Sequence, residues 1–195
     1  MGLVTLVLGL IIFIAPHVFV TRRAARADLI ARIGEGPYKI GFSILSALGI
    51  ALIAYGFGWY RATEWINVWS PPVWTRHLAL VLVWPAIIMI VAAYIPGNIK
   101  RVLKHPMLAG VKLWALAHLL ANGDLGSIIL FGSILGWAVY DRISLKRRTD
   151  AGAPPIPVGG WPRDVAAIVV GTLLYLVLAF WFHPAVLGVP VIPTR

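Results

Sequence analysis

Six long apolar runs constrain this chain more than any other feature. A helix needs roughly 20 mainly apolar residues to cross the hydrocarbon core of a bilayer, and the six runs meet or approach that length. In chain order they cover residues 3–20, 39–59, 77–95, 107–121, 125–140 and 164–182. Soluble domains carry about 25% charged residues, but only 12% are charged here. The sequence therefore predicts an all-α integral membrane protein, a six-helix transmembrane bundle that forms one domain over residues 1–195 in a lipid bilayer.

Three of the connections carry signals of their own. The turn sequence Asn122-Gly123-Asp124 joins the two shortest runs, the fourth and the fifth, and predicts a short helical hairpin. Segment 60–76 is rich in tryptophan and predicts a helix that lies in the outer interface. Segment 149–162 is rich in proline and predicts an extended linker.

The basic residues predict the orientation in the membrane, because short loops rich in Lys and Arg stay in the cytoplasm. One set of loops holds 13 of the 17 basic residues, namely Arg22, Arg23, Arg26, Arg32, Lys39, Lys100, Arg101, Lys104, Arg142, Lys146, Arg147, Arg148 and Arg163. The opposite side holds Arg61, Arg76 and Arg195. Both termini are therefore predicted outside. The basic residues sit in short blocks between apolar runs and share no face, so no nucleic-acid partner is predicted.

The residue types available limit the chemistry. Cysteine is absent and only five histidines are present, which excludes thiolate-bound metals and cysteine nucleophiles. No two histidines lie three or four residues apart, so a catalytic zinc motif is not predicted. A haem inside a helix bundle needs two axial imidazoles from different helices, and His17 and His118 lie in the first and fourth runs. The others, His77, His105 and His183, lie near span ends and suit interfacial roles, with His77 and His183 as replacement partners for His118.

Among the residues near His118, Lys112 and Asp124 each have two interpretations. Lys112 either extends its amine to the inner surface or meets a haem propionate. Trp114 can line an apolar slot for the macrocycle. Asn122 and Asp124 make a turn in which Asp124 caps the next helix, while the alternative has Asp124 accept the second N–H of a ligating imidazole.

Several stretches resemble one family of membrane proteins. They are Arg32-Ile33-Gly34-Glu35-Gly36-Pro37-Tyr38-Lys39, Gly41-Phe42-Ser43, His105-Pro106-Met107-Leu108-Ala109-Gly110 and, above all, Leu113-Trp114-Ala115-Leu116-Ala117-His118-Leu119-Leu120-Ala121-Asn122-Gly123-Asp124. The chain resembles the NnrU family, which also contains the 15-cis-zeta-carotene isomerases. The resemblance implies an integral membrane protein, with bacterial members linked by name to nitrite and nitric oxide reduction. The isomerase branch binds haem b through two axial histidines, which correspond to His17 and His118.

These observations predict a haem b-binding multi-pass protein with redox or cis-trans isomerase chemistry. His17 and His118 are the predicted iron ligands and catalytic residues, and Lys112, Trp114, Asn122 and Asp124 are the predicted cofactor-binding residues. The expected substrate is a hydrophobic polyene or a small nitrogen oxide, and the expected location is the bacterial cytoplasmic membrane. The alternative is a transporter, or an assembly partner of a nitrite or nitric oxide reductase, that holds no cofactor of its own.

Overall fold

The computed structural model describes residues 1–147 and 158–192, and regular structure within these ranges is entirely helical. The helices are α1 Gly2–Phe19, α2 Arg23–Ile33, α3 Glu35–Thr63, α4 Val73–Tyr94, α5 Asn98–Leu103, α6 Pro106–Ala121, α7 Leu125–Lys146 and α8 Trp161–Val177, followed by a π-helical turn Leu178–Phe182 and the short α9 His183–Ala185. Arg148 and most of the predicted linker 149–162 lie outside the described residues.

Five helices in the described part are long and apolar enough to cross a membrane: α1, α3, α4, α7 and the continuous segment Trp161–Ala185. The chain is therefore a helical, multi-pass type of membrane protein. The remaining predicted span, the fourth at residues 107–121, corresponds to α6, which has 16 residues and is shorter than the others. The prediction of six spans with both termini outside stays a prediction.

The expectation that the fifth span is short is wrong. α7 has 22 residues and is itself long enough to cross, because its backbone hydrogen bonding continues past the apolar run that ended at Tyr140. Sequence hydropathy marks where apolar side chains stop and not where a helix ends. The helical hairpin predicted from this short span stays a prediction.

The described chain divides into two compact units, and the first comprises Met1–Ser70 and Gly123–Lys146. Its central contact is the antiparallel pair α1 and α3, which approach closely because glycines face the partner helix from both sides. An added Cβ at Gly9 would lie 2.6 Å from the backbone nitrogen of Ile53, and one at Gly49 would lie 2.8 Å from that of Phe13. Small residues allow such close approach between membrane helices, which maximises dispersion contacts. The prediction that residues 1–195 form a single domain stays a prediction.

The segment between α3 and α4 is not a membrane-lying helix, so that prediction is wrong. α3 ends at Thr63 and α4 begins at Val73. The connecting backbone instead pairs with the turn before α7: the Val68 N–H donates to the Gly123 carbonyl at 2.9 Å, and the Leu125 N–H donates to the Ile66 carbonyl at 2.9 Å. These bonds give the loop the backbone partners that a helix would have supplied.

Glu64 joins this loop to the start of α1. Its carboxylate pairs with the Met1 ammonium and accepts the backbone N–H groups of Gly2 and Leu3. The ammonium and these two N–H groups hold the pKa of the Glu64 carboxyl below its usual range. The anion therefore caps the first turn of α1, where the helix dipole favours negative charge.

The second unit comprises Pro71–Asn122 and the residues from Arg147 onward. α4 is its central helix and packs against α6 and α8. An added Cβ at Gly171 would lie 2.8 Å from the Cα of Ile88, so α8 lies directly against α4 there. Asp164 accepts the Ile99 N–H at 2.9 Å and the Asn98 amide at 2.7 Å, which attaches the start of α5 to α8.

The predicted orientation can be tested with single cysteines, since the native chain has none to interfere. A cysteine replacing Asp28 should react only with reagents on the cytoplasmic side, and one replacing Asn67 only with reagents added outside. Both positions are exposed. The measurement is labelling of intact spheroplasts with a membrane-impermeant maleimide. Labelling of a cysteine at the Asp28 position from outside would show that the orientation is the reverse of the predicted one.

Candidate functional site

His118 lies near the end of α6, in the second unit. Pro106 occupies the first turn of this helix, where its missing N–H costs nothing, and three turns later His118 is half-buried. Its Nδ1 lies 2.8 Å from the Trp114 carbonyl, and the two rings pack with centroids 4.8 Å apart. Since a carbonyl only accepts, Nδ1 carries the proton and Nε2 carries the ring lone pair.

His183 lies beside His118 in the same unit. The two imidazole centroids are 6.3 Å apart and the ring planes are inclined by 28°. His183 also donates its Nδ1–H to a carbonyl of its own helix, that of Leu178, at 2.6 Å. Two imidazoles from different helices therefore lie together with the same tautomer, because each donates its Nδ1–H to a carbonyl of its own helix.

A π-helical turn precedes His183. Residues Leu178–Phe182 form this turn, and the Nδ1 bond of His183 spans five residues instead of four. Such turns are rare, rotate the following residue relative to an α-helix, and occur frequently at functional sites. The turn thus sets the direction in which His183 leaves α8, and nothing in the hydropathy of the sequence indicates it.

His17 lies in the first unit, near the end of α1. Its Nδ1–H donates to the Phe13 carbonyl at 2.6 Å. Three aromatic rings surround the imidazole, with centroid distances of 4.3 Å to Phe13, 4.9 Å to Phe42 and 5.3 Å to Trp137. His17 has the same tautomer as His118, and the predicted pairing of His17 with His118 stays a prediction because the two residues belong to different units.

The other predicted site residues have distinct positions. Lys112 is half-buried on α6, and Trp114 packs on the His118 ring. The Asn122 amide donates to the His118 carbonyl at 2.8 Å, so Asn122 closes the turn of helix that carries His118. His77 is exposed in the first turn of α4, and His105 immediately precedes α6.

Asp124 begins α7 in the first unit and is 1% exposed. Its Oδ1 accepts the Ser127 N–H at 2.9 Å, three residues on, which is the geometry of an N-cap. This supports the capping role predicted for Asp124. Its Oδ2 is buried and lacks a hydrogen-bond partner within the described residues.

Replacing Asp124 by alanine is expected to destabilise the protein by about 0.5–2 kcal/mol, because the first turn of α7 loses its acceptor. Asparagine at this position keeps an acceptor oxygen for the Ser127 N–H and replaces the unpaired oxygen by a neutral NH2 group, so Asp124→Asn should lose less. Unfolding in mixed micelles, followed by tryptophan fluorescence, measures both. Equal losses in the two variants would show that the cap is not what Asp124 contributes.

Within the described residues, no three or more His, Asp or Glu side chains form a group that could hold a metal ion. Among the described ring contacts, that between His118 and His183 brings two metal-binding side chains together. A site of this kind suits a cofactor that brings its own equatorial ligands and takes imidazoles from the protein.

Fold and site together define a polytopic helical membrane protein with an intramolecular imidazole pair in its second unit. The family model described as NnrU protein matches residues 5–191. The chain belongs to the NnrU family. No curated protein and no solved structure matches this chain.

Proposed function

We propose that this protein is a haem b-binding membrane protein in which His118 is an axial ligand of the iron. The observation that carries the proposal is the second imidazole, that of His183, at 6.3 Å from the His118 ring. His118 and His183 come from different helices and would together supply the two imidazoles by which a helix bundle holds haem b.

The chemistry of the donors also fits. Histidines that bind metals almost always donate the other ring N–H to a carbonyl or carboxylate, which sets the tautomer and raises the basicity of the ligating nitrogen. His118 and His183 both do so through Nδ1. The same holds for His17, whose role as a ligand rests on the family resemblance.

The second axial ligand is His17 by the resemblance and His183 by the geometry of the second unit, and haem occupancy of single variants decides between them. His118→Ala should lose most of its haem, at least tenfold, under either pairing. If His183→Ala loses a similar amount of haem and His17→Ala keeps its haem, His183 is the second ligand. If His17→Ala loses the haem and His183→Ala keeps it, His17 is the second ligand. His77→Ala, at an exposed position, is the matched control and should keep its Soret band.

The measurement is the visible spectrum of purified protein after expression with adequate haem, supported by the pyridine haemochrome assay for haem b. Imidazole added to a His118→Gly variant should restore part of the Soret band, because a free ligand can occupy the space of the lost ring. A wild-type protein with no Soret band would end the proposal. Uptake of nitrite by proteoliposomes, or co-purification with a reductase, would then favour the transporter or assembly-partner reading.

Bound haem would supply one-electron redox chemistry or a metal centre for an alkene, and the protein residues determine access and position. Trp114 lines the apolar surface beside His118, and Lys112, six residues before it on α6, is the proposed propionate partner. Asn122 steadies the His118 turn. A hydrophobic polyene or a small nitrogen oxide is the proposed substrate, and the bacterial cytoplasmic membrane is the proposed location.

A further inference from the structure

A groove of about 520 Å³ runs along the surface of the first unit between α1 and α7. Its lining is apolar from Val7 to Phe19 on α1 and at Ile129 on α7. These 12 helical steps extend about 18 Å, close to the roughly 15 Å of hydrocarbon in one leaflet of a bilayer. The volume lies in the range of small-molecule sites, and the shape suits an extended hydrocarbon chain.

One end of this groove is positively charged. Arg22 lines it there, and Arg22 and Arg26 are four residues apart at the start of α2, joined by a backbone hydrogen bond of 2.9 Å. Residues at that spacing share one side of a helix. The Arg26 guanidinium lies 5.4 Å from the centre of the Tyr38 ring. Arg22, Arg26 and Tyr38 are together called the arginine end here.

The arginine end contains polar atoms that lack partners. Within the described residues, the buried Arg26 Nε and Tyr38 hydroxyl make no hydrogen bond, and the same is true of Trp137 Nε1 on α7, one turn beyond the groove residue Ser133. Arg26 Nε and Trp137 Nε1 can only donate, and the Tyr38 hydroxyl can do so. Buried donors without acceptors are costly, so this end of the unit is short of acceptor oxygens.

Neighbouring carboxylates do not fill that need. Glu35, at the start of α3, is close enough to Arg26 to interact with its charge, but its ion pair is with Lys39 at 2.7 Å. Asp28, the acidic residue within α2, is exposed and forms no ion pair with Arg26 among the described residues. A ligand oxygen at this end would supply the missing acceptor.

We propose that the groove binds one anionic phospholipid, with an acyl chain along α1 and α7 and the phosphate at the arginine end. An uncharged hydrocarbon would fill the groove but leave the donors unpaired, and a free phosphate would satisfy the donors but leave the apolar groove empty. An amphiphile with an acidic headgroup does both. Basic pockets among membrane helices on the cytoplasmic side recognise acidic headgroups through this combination.

The test uses the full chain reconstituted with equal amounts of phosphatidylglycerol and phosphatidylcholine, extracted in mild detergent and analysed by native mass spectrometry. The wild type should retain one phosphatidylglycerol in clear preference to phosphatidylcholine. Arg22→Gln and Arg26→Gln should each lower that preference by about fivefold. Arg32→Gln, farther along the same helix, is the matched control and should leave the preference unchanged.

A second pair of variants tests the groove itself. Ala15 lines it and is exposed, so Ala15→Phe should block the chain and remove bound lipid of both kinds. Ala47→Phe, at an exposed position on α3 outside the groove, should retain the lipid. Tryptophan fluorescence on unfolding verifies that each variant is folded.

Three results would overturn the assignment. One is equal retention of the two lipids by the wild type. Another is an Arg32→Gln variant that loses as much preference as Arg22→Gln, which would indicate diffuse attraction to the membrane surface. The third is binding of glycerol 3-phosphate, a headgroup without chains, as tightly as the lipid. The proposal does not depend on haem, so haem occupancy measured in the same samples is a separate readout.

Discussion

A Gly56→Leu variant is expected to lose at least about 3 kcal/mol of stability, the upper part of the range for overpacked cores. Gly56 on α3 is buried, and a Cβ at this position would overlap the backbone nitrogen of Leu6 on α1. Backbone atoms cannot rotate away as side chains do. The two helices must therefore separate, and the contacts along the whole α1–α3 pair weaken together.

Gly58→Leu is the matched control, two residues away on the same helix. A Cβ at Gly58 meets nothing within 4 Å, so leucine there should be neutral or slightly stabilising, because leucine is a better helix former than glycine. Unfolding in sodium dodecyl sulfate, followed by the fluorescence of the nine tryptophans, measures the difference. Equal stability of the two variants would mean that α1 and α3 do not pack through their glycines.

The second large effect is expected at Tyr60, whose side chain is fully buried in the first unit. Its ring packs on Trp65 with centroids 6.3 Å apart, and it occupies the space next to Gly126, where any Cβ would overlap the ring. Removing a buried aromatic ring costs about 3–5 kcal/mol, because the surroundings close only part of the cavity. Tyr60→Ala should therefore be among the least stable variants, as measured by the same unfolding assay.

Tyr60→Phe separates the ring from its hydroxyl. The hydroxyl accepts the Ile66 N–H at 3.1 Å and lies 3.3 Å from the Ile66 carbonyl. Phenylalanine keeps the ring but leaves these groups unpaired, which costs about 1–3 kcal/mol. A phenylalanine variant as unstable as the alanine variant would show that the hydroxyl, and not the packing of the ring, holds the loop after α3.

Some features could be read from the sequence because they depend on local properties. The apolar runs predicted the long helices, with ends displaced by a few residues, and the turn at Asn122-Gly123-Asp124 marked the boundary between α6 and α7. The cap by Asp124 was also predictable, since the preference of Asp for the position before a helix depends on the nearest backbone N–H groups.

The packing faces were less predictable. The small residues Ser43, Ala47 and Ala51 recur every four positions on α3 and indicate a packing stripe, but all three are exposed. The residues of α3 that pack are Gly49 and Gly56, seven apart, which lie against Phe13 and Leu6 of α1. Both patterns are compatible with membrane helices, and only the partner helix decides which one is used.

The histidines of the candidate site show the same contrast between what local sequence predicts and what tertiary contacts determine. Sequence chemistry selected His118, since an ionisable side chain inside an apolar run invites a functional explanation. It assigned His183 first to the interface, because a residue 65 positions farther along the chain has no local relation to His118. Their adjacency depends on the packing of α6 and α8 against α4 and on the π-helical turn before His183.

Composition and local patterns are sufficient to reveal the membrane character of this protein, its helical class, its family and the residue types available for chemistry. Which glycines bring helices together, where the loop after α3 finds its backbone partners and which imidazole lies beside His118 become known only from the folded chain. These features depend on contacts between segments that are distant in the sequence. Several side chains have the same local preferences, and the packing of the helices selects which of them make the contacts.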